Sequence, residues 1–191
     1  MADPRSTSPP PDSTAEVPDE VRAGQDRFIA IWGEMGQSWG IPRTMAEIHA
    51  LLFIAGEAMN TDEVMERLKI SRGSASTSLR ALVDWGVVSR AHIPGDRKEY
   101  FRAEQDVWRM FRMILRERKR REIDPLLVAL HECRDMTRAE VAPNDPASKE
   151  HNRRLDDMLE FVEIADSLAN RFISPSGKGL RLAAGILGKV V

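Results

Sequence analysis

The chain has 191 residues, room for one domain and an appendage at ~150 residues per domain, with 42% apolar and 30% charged side chains. That balance supplies a core and excludes a low-complexity chain. No apolar run reaches the ~20 residues of a membrane helix, and a single cysteine, Cys133, excludes an internal disulfide.

Residues 1–18 hold five prolines among Ser, Thr, Asp and Glu, with little to bury, and read as a disordered tail. No apolar segment follows the first charges, so no secretory signal is expected and a cytoplasmic location is. A helix is predicted from Asp19 to about Gln37, with Phe28, Ile31, Trp32 and Met35 at spacings of three and four. Gly40 and Pro42 break it. A second helix covers about Thr44–Ala55. A short third helix starts at Asn60 or Thr61, and Glu63 completes a capping box with Asn60. Ser71 is a cap for a fourth helix, which runs to Trp85 and stops at Gly86.

The period then changes from helix to strand. Residues 87–93 and 98–103 read as two strands, joined by the turn residues Pro94, Gly95 and Asp96. One long helix or two follow from 105 to about 135, and Pro125 must kink the helix or begin a new one. Residues 141–147 read as a linker. A last helix is predicted over 148–172. Its Leu155, Met158, Val162, Ala165, Ala169 and Phe172 form a seam suited to another helix. The Gly-rich end from Ser174 reads as frayed.

The fold class is therefore mainly α. A winged helix-turn-helix with a two-stranded β-wing is flanked by N- and C-terminal helices that form a dimerisation region. The expected divisions are a tail (1–18), an N-terminal dimerisation helix (19–40), the winged unit (41–104), a C-terminal helical dimerisation region (105–173) and a flexible tail (174–191).

The net charge of −2 conceals an asymmetry. Residues 71–121 carry 13 Lys and Arg against 6 Asp and Glu, while the rest carry 15 against 24. A basic segment on an acidic body is the footprint expected of a nucleic-acid binder. The fourth helix supplies the chemistry. Ala75, Leu79, Leu82 and Val83 form its inward side. Ser71, Arg72, Gly73, Ser74, Ser76, Thr77 and Arg80 are small or hydrogen-bonding, which suits a helix entering the major groove. Four Ser and Thr residues at 74 and 76–78 weaken helix propensity, so helix stability did not select them. In the hairpin, Arg97 suits a narrow minor groove, and Arg90 and Lys98 suit phosphates. Asp96 is expected to brace a nearby arginine. An interaction module that never meets DNA is the competing reading of the same elements.

Other groups carry less. Arg112, Arg116, Arg118, Lys119, Arg120 and Arg121 read as a solvated face. Trp32, Trp39, Trp85 and Trp108 at helical spacing read as core. Their alternative is an aromatic cage for a cationic ligand, and Trp32, Trp39 and Trp108 are the residues retained for an effector pocket. Cys133 beside His131 reads as a small buried hydrophobe. No metal or cofactor is expected. The chain has no nucleophile elbow, phosphate loop or zinc-protease motif, and Gly177-Lys178 lacks the rest of a phosphate loop, so no enzyme is expected.

The run from Leu68 through Ser71-Arg72-Gly73-Ser74-Ala75-Ser76 to Leu79, Arg80 and Leu82, then Trp85-Gly86-Val87-Val88, resembles the MarR superfamily. Gly95–Phe101 (GDRKEYF), the acidic step Glu104–Asp106 with Trp108, and Trp39–Phe53 (WGIPRTMAEIHALLF) resemble its GbsR-like branch. The resemblance spans roughly residues 20–172. It implies a bacterial homodimeric transcription factor on an inverted-repeat duplex operator, often a repressor of transport or stress genes. It also implies a reading helix at Ser71–Trp85 and a wing at Ile93–Lys98. Some relatives in that branch respond to choline-like osmolytes, so the resemblance also implies a small effector.

Overall fold

The computed structural model describes residues 17–137 and 145–174. The expected N-terminal tail, the 141–147 linker and the C-terminal tail fall mostly outside these residues. The elements, in chain order, are α1 (Asp19–Ser38), α2 (Arg43–Ala55), β1 (Met59–Asn60), α3 (Thr61–Leu68) and α4 (Arg72–Asp84). Then come β2 (Val88–Ala91), β3 (Tyr100–Ala103), α5 (Val107–Arg118), a π-helical turn (Lys119–Ile123), α6 (Asp124–Met136) and α7 (Pro146–Ile173).

Helix α2 is the centre. Ile48, Ala50 and Leu52 are 0% exposed and Leu51 is 2%, so this helix is apolar on nearly every side. It is covered by α1, α3, α4 and β3. Burial of one such side chain contributes about 1.5–3 kcal/mol. The core continues into Val64 of α3, Leu79 and Leu82 of α4, and Val87, Val88 and Phe101 of the hairpin.

The expected caps explain where the short helices begin. The Asn60 side chain accepts from the backbone N–H groups of Asp62 (2.9 Å) and Glu63 (3.1 Å), and Glu63 accepts from the Asn60 N–H at 2.7 Å. Lys69 closes α3 in the left-handed region at φ 54°. Ser71 then starts α4 by accepting from the Ser74 N–H at 3.3 Å. Asp106 accepts from the N–H groups of Trp108 and Arg109 at the start of α5.

The sheet has one strand more than the expected two. Its order is β1-β3-β2, all antiparallel, with Met59 opposite Phe101 and Val88 opposite Ala103. A two-residue strand shows no alternation, and only its partner defines it. Pro125 produces no gap between α5 and α6. The π-helical turn lies directly before it, a local widening of the kind that accommodates an interruption inside a helix, and Pro125 is the second residue of α6. Helix α7 begins two residues earlier than the expected 148, because the Asp145 side chain accepts from the N–H groups of Ala147 and Ser148.

The seam on α7 is only partly used within the chain. Its Val162 is buried, Leu155, Ala165, Ala169 and Phe172 are half-buried, and Met158 is exposed, while α7 lies on α5 and α6. With Met158, the residues Phe161, Ile164 and Leu168 form a stripe that faces outward at 48–68% exposure. The solvated-face reading of the basic cluster holds for part of it only. Lys119 bridges Asp124 (2.5 Å) and Asp166 (2.8 Å), which ties the π-helical turn to α7. Arg118 pairs with Glu122 and donates to the Trp39 carbonyl. Arg120 and Arg121 both grip the buried Glu117, whose carboxyl they hold below the usual carboxylate range against the opposing effect of burial. Cys133 is exposed rather than buried, because α6 turns its side away from α7.

Gly36 sets the approach of α1 to α2. A Cβ there would stand 2.6 Å from the Ala46 Cβ. Gly36→Ala should therefore lower stability by about 1–3 kcal/mol through overpacking, despite the ~0.5–1 kcal/mol that alanine gains over glycine in a helix. Thermal unfolding reads the sign, and an unchanged or higher midpoint contradicts the close packing.

Candidate nucleic-acid interface

Helix α4 lies on α2 through Ala75, Leu79 and Leu82, all at most 3% exposed. The opposite side carries Ser71, Arg72, Gly73, Ser74, Thr77 and Arg80, all exposed, with Ser76 half-buried at the edge. This face is slim. Ser71 Oγ donates to Ser74 Oγ at 3.1 Å, and Arg80 Nε donates to the Ser76 carbonyl at 3.3 Å. No element of the described residues covers this face.

The wing loop joins β2 to β3 over residues 92–99, and Arg97 and Lys98 are exposed on it. Arg97 forms no ion pair among the described residues. Arg90 pairs with Glu99 across the hairpin at 2.5 Å, with both side chains more than half exposed. Asp96 does not brace an arginine, as the sequence suggested. It accepts from the Lys98 N–H (2.9 Å) and from the Tyr100 hydroxyl (2.8 Å). The carboxylate therefore shapes the turn itself, a common role of Asp in loops.

Asp62, on α3, has no sequence signal. It lies 2.5 Å from Arg72 and 3.9 Å from Lys98. One carboxylate thus reaches the start of α4 and the wing, which puts both basic groups on the same side of the molecule. Pairs this exposed contribute about 0–1 kcal/mol, so they can exchange for phosphates at little cost.

The tryptophans are not simply core. Trp39 is 50% and Trp108 41% exposed. Together with Trp32 and Trp85 they line a cavity of about 410 Å³ between α1, α2, the end of α4 and α5. The structure therefore brings the three residues retained for an effector pocket to one cavity. The cation cage does not follow, because Arg118 lies 5.5 Å over the Trp39 ring and Arg121 lies 5.2 Å over the Trp85 ring. His49, which the sequence did not single out, is in the cavity wall, 4% exposed and 5.9 Å from the Trp32 ring.

An α-helical scaffold that seats an exposed, small-residue helix beside a β-hairpin defines a winged helix-turn-helix protein. Residues 39–99 match the MarR family. The chain is 28% identical over 113 residues to the HTH-type transcriptional repressor GbsR of Bacillus subtilis, covering 59% of this chain and 62% of that one. It is 23% identical over 91 residues to the putative HTH-type transcriptional regulator YvaV of the same organism, covering 48% and 51%. Those two matches span only about half to three-fifths of each relative. It is 24% identical over 155 residues to the HTH-type transcriptional regulator MmpR5 of Mycobacterium tuberculosis, covering 80% and 87%. A crystal structure of a transcriptional regulator superposes with a TM-score of 0.53 at 21% identity, over 78% of this chain and 95% of that one, and shows the fold. The GbsR-like branch is the weaker part of the resemblance.

Two expectations follow from the site chemistry. Burial pushes the His49 pKa down to about 4. An unfolded histidine titrates near 6.5, so on acidification the unfolded chain takes up this proton first. The folded state keeps its full advantage above about pH 6.5 and loses about 3 kcal/mol on going down to about pH 4. Denaturant unfolding across that window should be steeper in pH for the natural chain than for His49→Leu, and equal slopes contradict it. For the wing, backbone donation from Lys98 and the Tyr100 hydroxyl hold the Asp96 carboxyl below its usual range. The brace is therefore complete above the ordinary carboxylate pKa and is lost as pH falls through the lower folded value. Asp96→Ala should speed amide exchange at Lys98 at neutral pH, and unchanged exchange argues against the brace.

Proposed function

We propose that this chain is a sequence-specific, double-stranded-DNA-binding transcriptional regulator, a cytoplasmic homodimeric repressor of transport or stress genes controlled by a small effector. One observation carries the reading. The exposed face of α4 and the basic wing lie on one side, within reach of a single Asp62 carboxylate. A slim donor-bearing helix fits a ~12 Å major groove, and an adjacent hairpin fits the neighbouring backbone or minor groove. The names of the relatives, all transcriptional regulators, agree with a regulator and not with an enzyme.

The dimer is supported by the outward stripe on α7 together with the exposed Val128 of α6. Apolar patches of this kind on a helix are ordinarily covered by a partner. Two reading helices related by a two-fold axis enter successive major grooves ~34 Å apart, which calls for an imperfect inverted repeat. No helix of the described residues is long and apolar enough to cross a membrane.

Selection of bound sequences from random duplex DNA tests the whole reading. An inverted repeat with half-sites one turn apart is the expected result, and no enrichment over input overturns the proposal. On the selected site, Arg97→Ala should weaken binding to all sequences and reduce the salt slope, because phosphate contacts release counterions. Arg72→Ala or Arg80→Ala should cost about 1–3 kcal/mol and relax base preference at one position. Unchanged footprints in all three variants reject the surface.

A further inference from the structure

A carboxylate on a surface proposed to meet phosphates is out of place by charge alone, and Asp62 is such a group. Its Oδ1 accepts from Arg72 Nη2 at 2.5 Å, and its Oδ2 faces Lys98 Nζ at 3.9 Å. The two oxygens of one group thus address two cations from different elements. Arg72 is the first residue of α4, and Lys98 follows the wing turn. All three side chains are more than half exposed. The carboxylate is held from behind. The Asp62 N–H donates to the Asn60 side chain at 2.9 Å in the cap of α3, and Val64, two residues on, is 0% exposed. A short side chain on a backbone anchored in this way keeps its charge at the surface when a partner arrives.

Breaking the two exposed ion pairs costs little, but the charge of Asp62 stays behind. A phosphate drawn to both Arg72 and Lys98 comes to rest beside that carboxylate, and like charges at such range oppose one another. A base edge carries no net charge and meets no such repulsion. The planar guanidinium of Arg72 carries N–H donors along more than one edge. One of them is on Asp62, and the others remain for the paired acceptors of a guanine. A carboxylate that grips one edge also restricts the side chain beforehand, so a base contact orders less on forming. Asp62 therefore acts in opposite directions on the two kinds of acceptor that a duplex offers.

We propose that Asp62 is a specificity-determining residue, which braces Arg72 for an uncharged base edge and opposes the seating of a phosphate between Arg72 and Lys98. The inference rests on the regulator reading and deepens it, because it assigns part of the base discrimination to α3, a helix outside the proposed base-reading face. Phosphate anchoring falls instead to the exposed Arg97 of the wing.

Binding of the full-length chain to a selected duplex and to a random-sequence duplex of equal length is followed by fluorescence anisotropy over a range of salt. Asp62→Asn should bind the random duplex about fivefold more tightly, the size of one unit-charge contact at ~4 Å in water. Its log–log salt slope there should steepen by about one, as one more phosphate is neutralised. Affinity for the selected duplex does not rise to match, because the brace on Arg72 is lost, and the ratio of the two affinities falls. Base preference relaxes at the same position that Arg72→Ala affects, which a general change in stability does not produce. Asp62→Glu keeps the charge and should keep most of the ratio. Asp62→Ser repeats the test independently of any effect of asparagine on the cap. Glu66→Gln removes an equal charge one turn further along α3, from another exposed position, and should leave the ratio as it is. An unchanged ratio in Asp62→Asn and Asp62→Ser overturns the inference, and so does an equal fall in Glu66→Gln, which makes net charge the cause. A natural chain with no preference for the selected duplex removes the regulator reading and this inference together. A preference that survives intact in the Asp62 variants removes the inference alone.

Discussion

The seating of α4 on α2 governs what this protein can present to a partner. Leu79 and Leu82 are 1% and 3% exposed against a helix whose own residues Ile48 and Leu52 have no exposed surface. A helix has one apolar stripe to bury, and burying it determines which residues face out. Rotate α4 by one residue, about 100°, and a leucine leaves the core while Ser74 or Ser76, according to the direction, enters it without a partner. The outward set of Arg72, Gly73, Ser74, Thr77 and Arg80 is therefore a consequence of packing. Its small size and its hydroxyls then become available for a groove.

The hairpin depends on the same core from the other side. Val87, Val88 and Phe101 close over α2 and α4, and β1 adds a third strand that ties Met59 and Asn60 to β3. Asn60 serves two structures at once, as a strand residue and as the cap of α3. The wing is stiffened locally by Asp96, which holds the turn from within. Helix α4, the cap of α3 and the wing are thus joined through a few side chains, with Asp62 bridging the two basic groups nearest the proposed DNA surface.

Between α1, α2 and α5 the packing is incomplete. The four tryptophans bound a cavity instead of closing on one another. Gly33 and Gly36 bring α1 close to α2 at Glu47 and Ala46, while the bulky aromatic groups of α1 and α5 hold the neighbouring space open. Arg118 and Arg121 reach over two of the rings from the far end of α5 and the π-helical turn. The helices that lead toward α7 are in this way linked to the C-terminal end of α4.

Much of this was legible from residue order because it is local. Helix periods, the Asn60–Glu63 box, the Ser71 cap, the Gly86 stop and the turn at Pro94–Asp96 act over four residues or fewer, so the backbone and its nearest side chains decide them. The inward and outward sides of α4 were legible for the same reason. Contacts between distant segments were not. The two-residue strand β1 exists only through β3, and Asp62 meets Arg72 and Lys98 across 10 and 36 positions. Asp96 turned to the wing backbone and Tyr100, the α7 seam closed only in part within the chain, and Lys119 paired with Asp166. The tryptophans also became cavity wall instead of core. Burial and charge pairing depend on what the rest of the chain places nearby, and spacing along the sequence does not encode that.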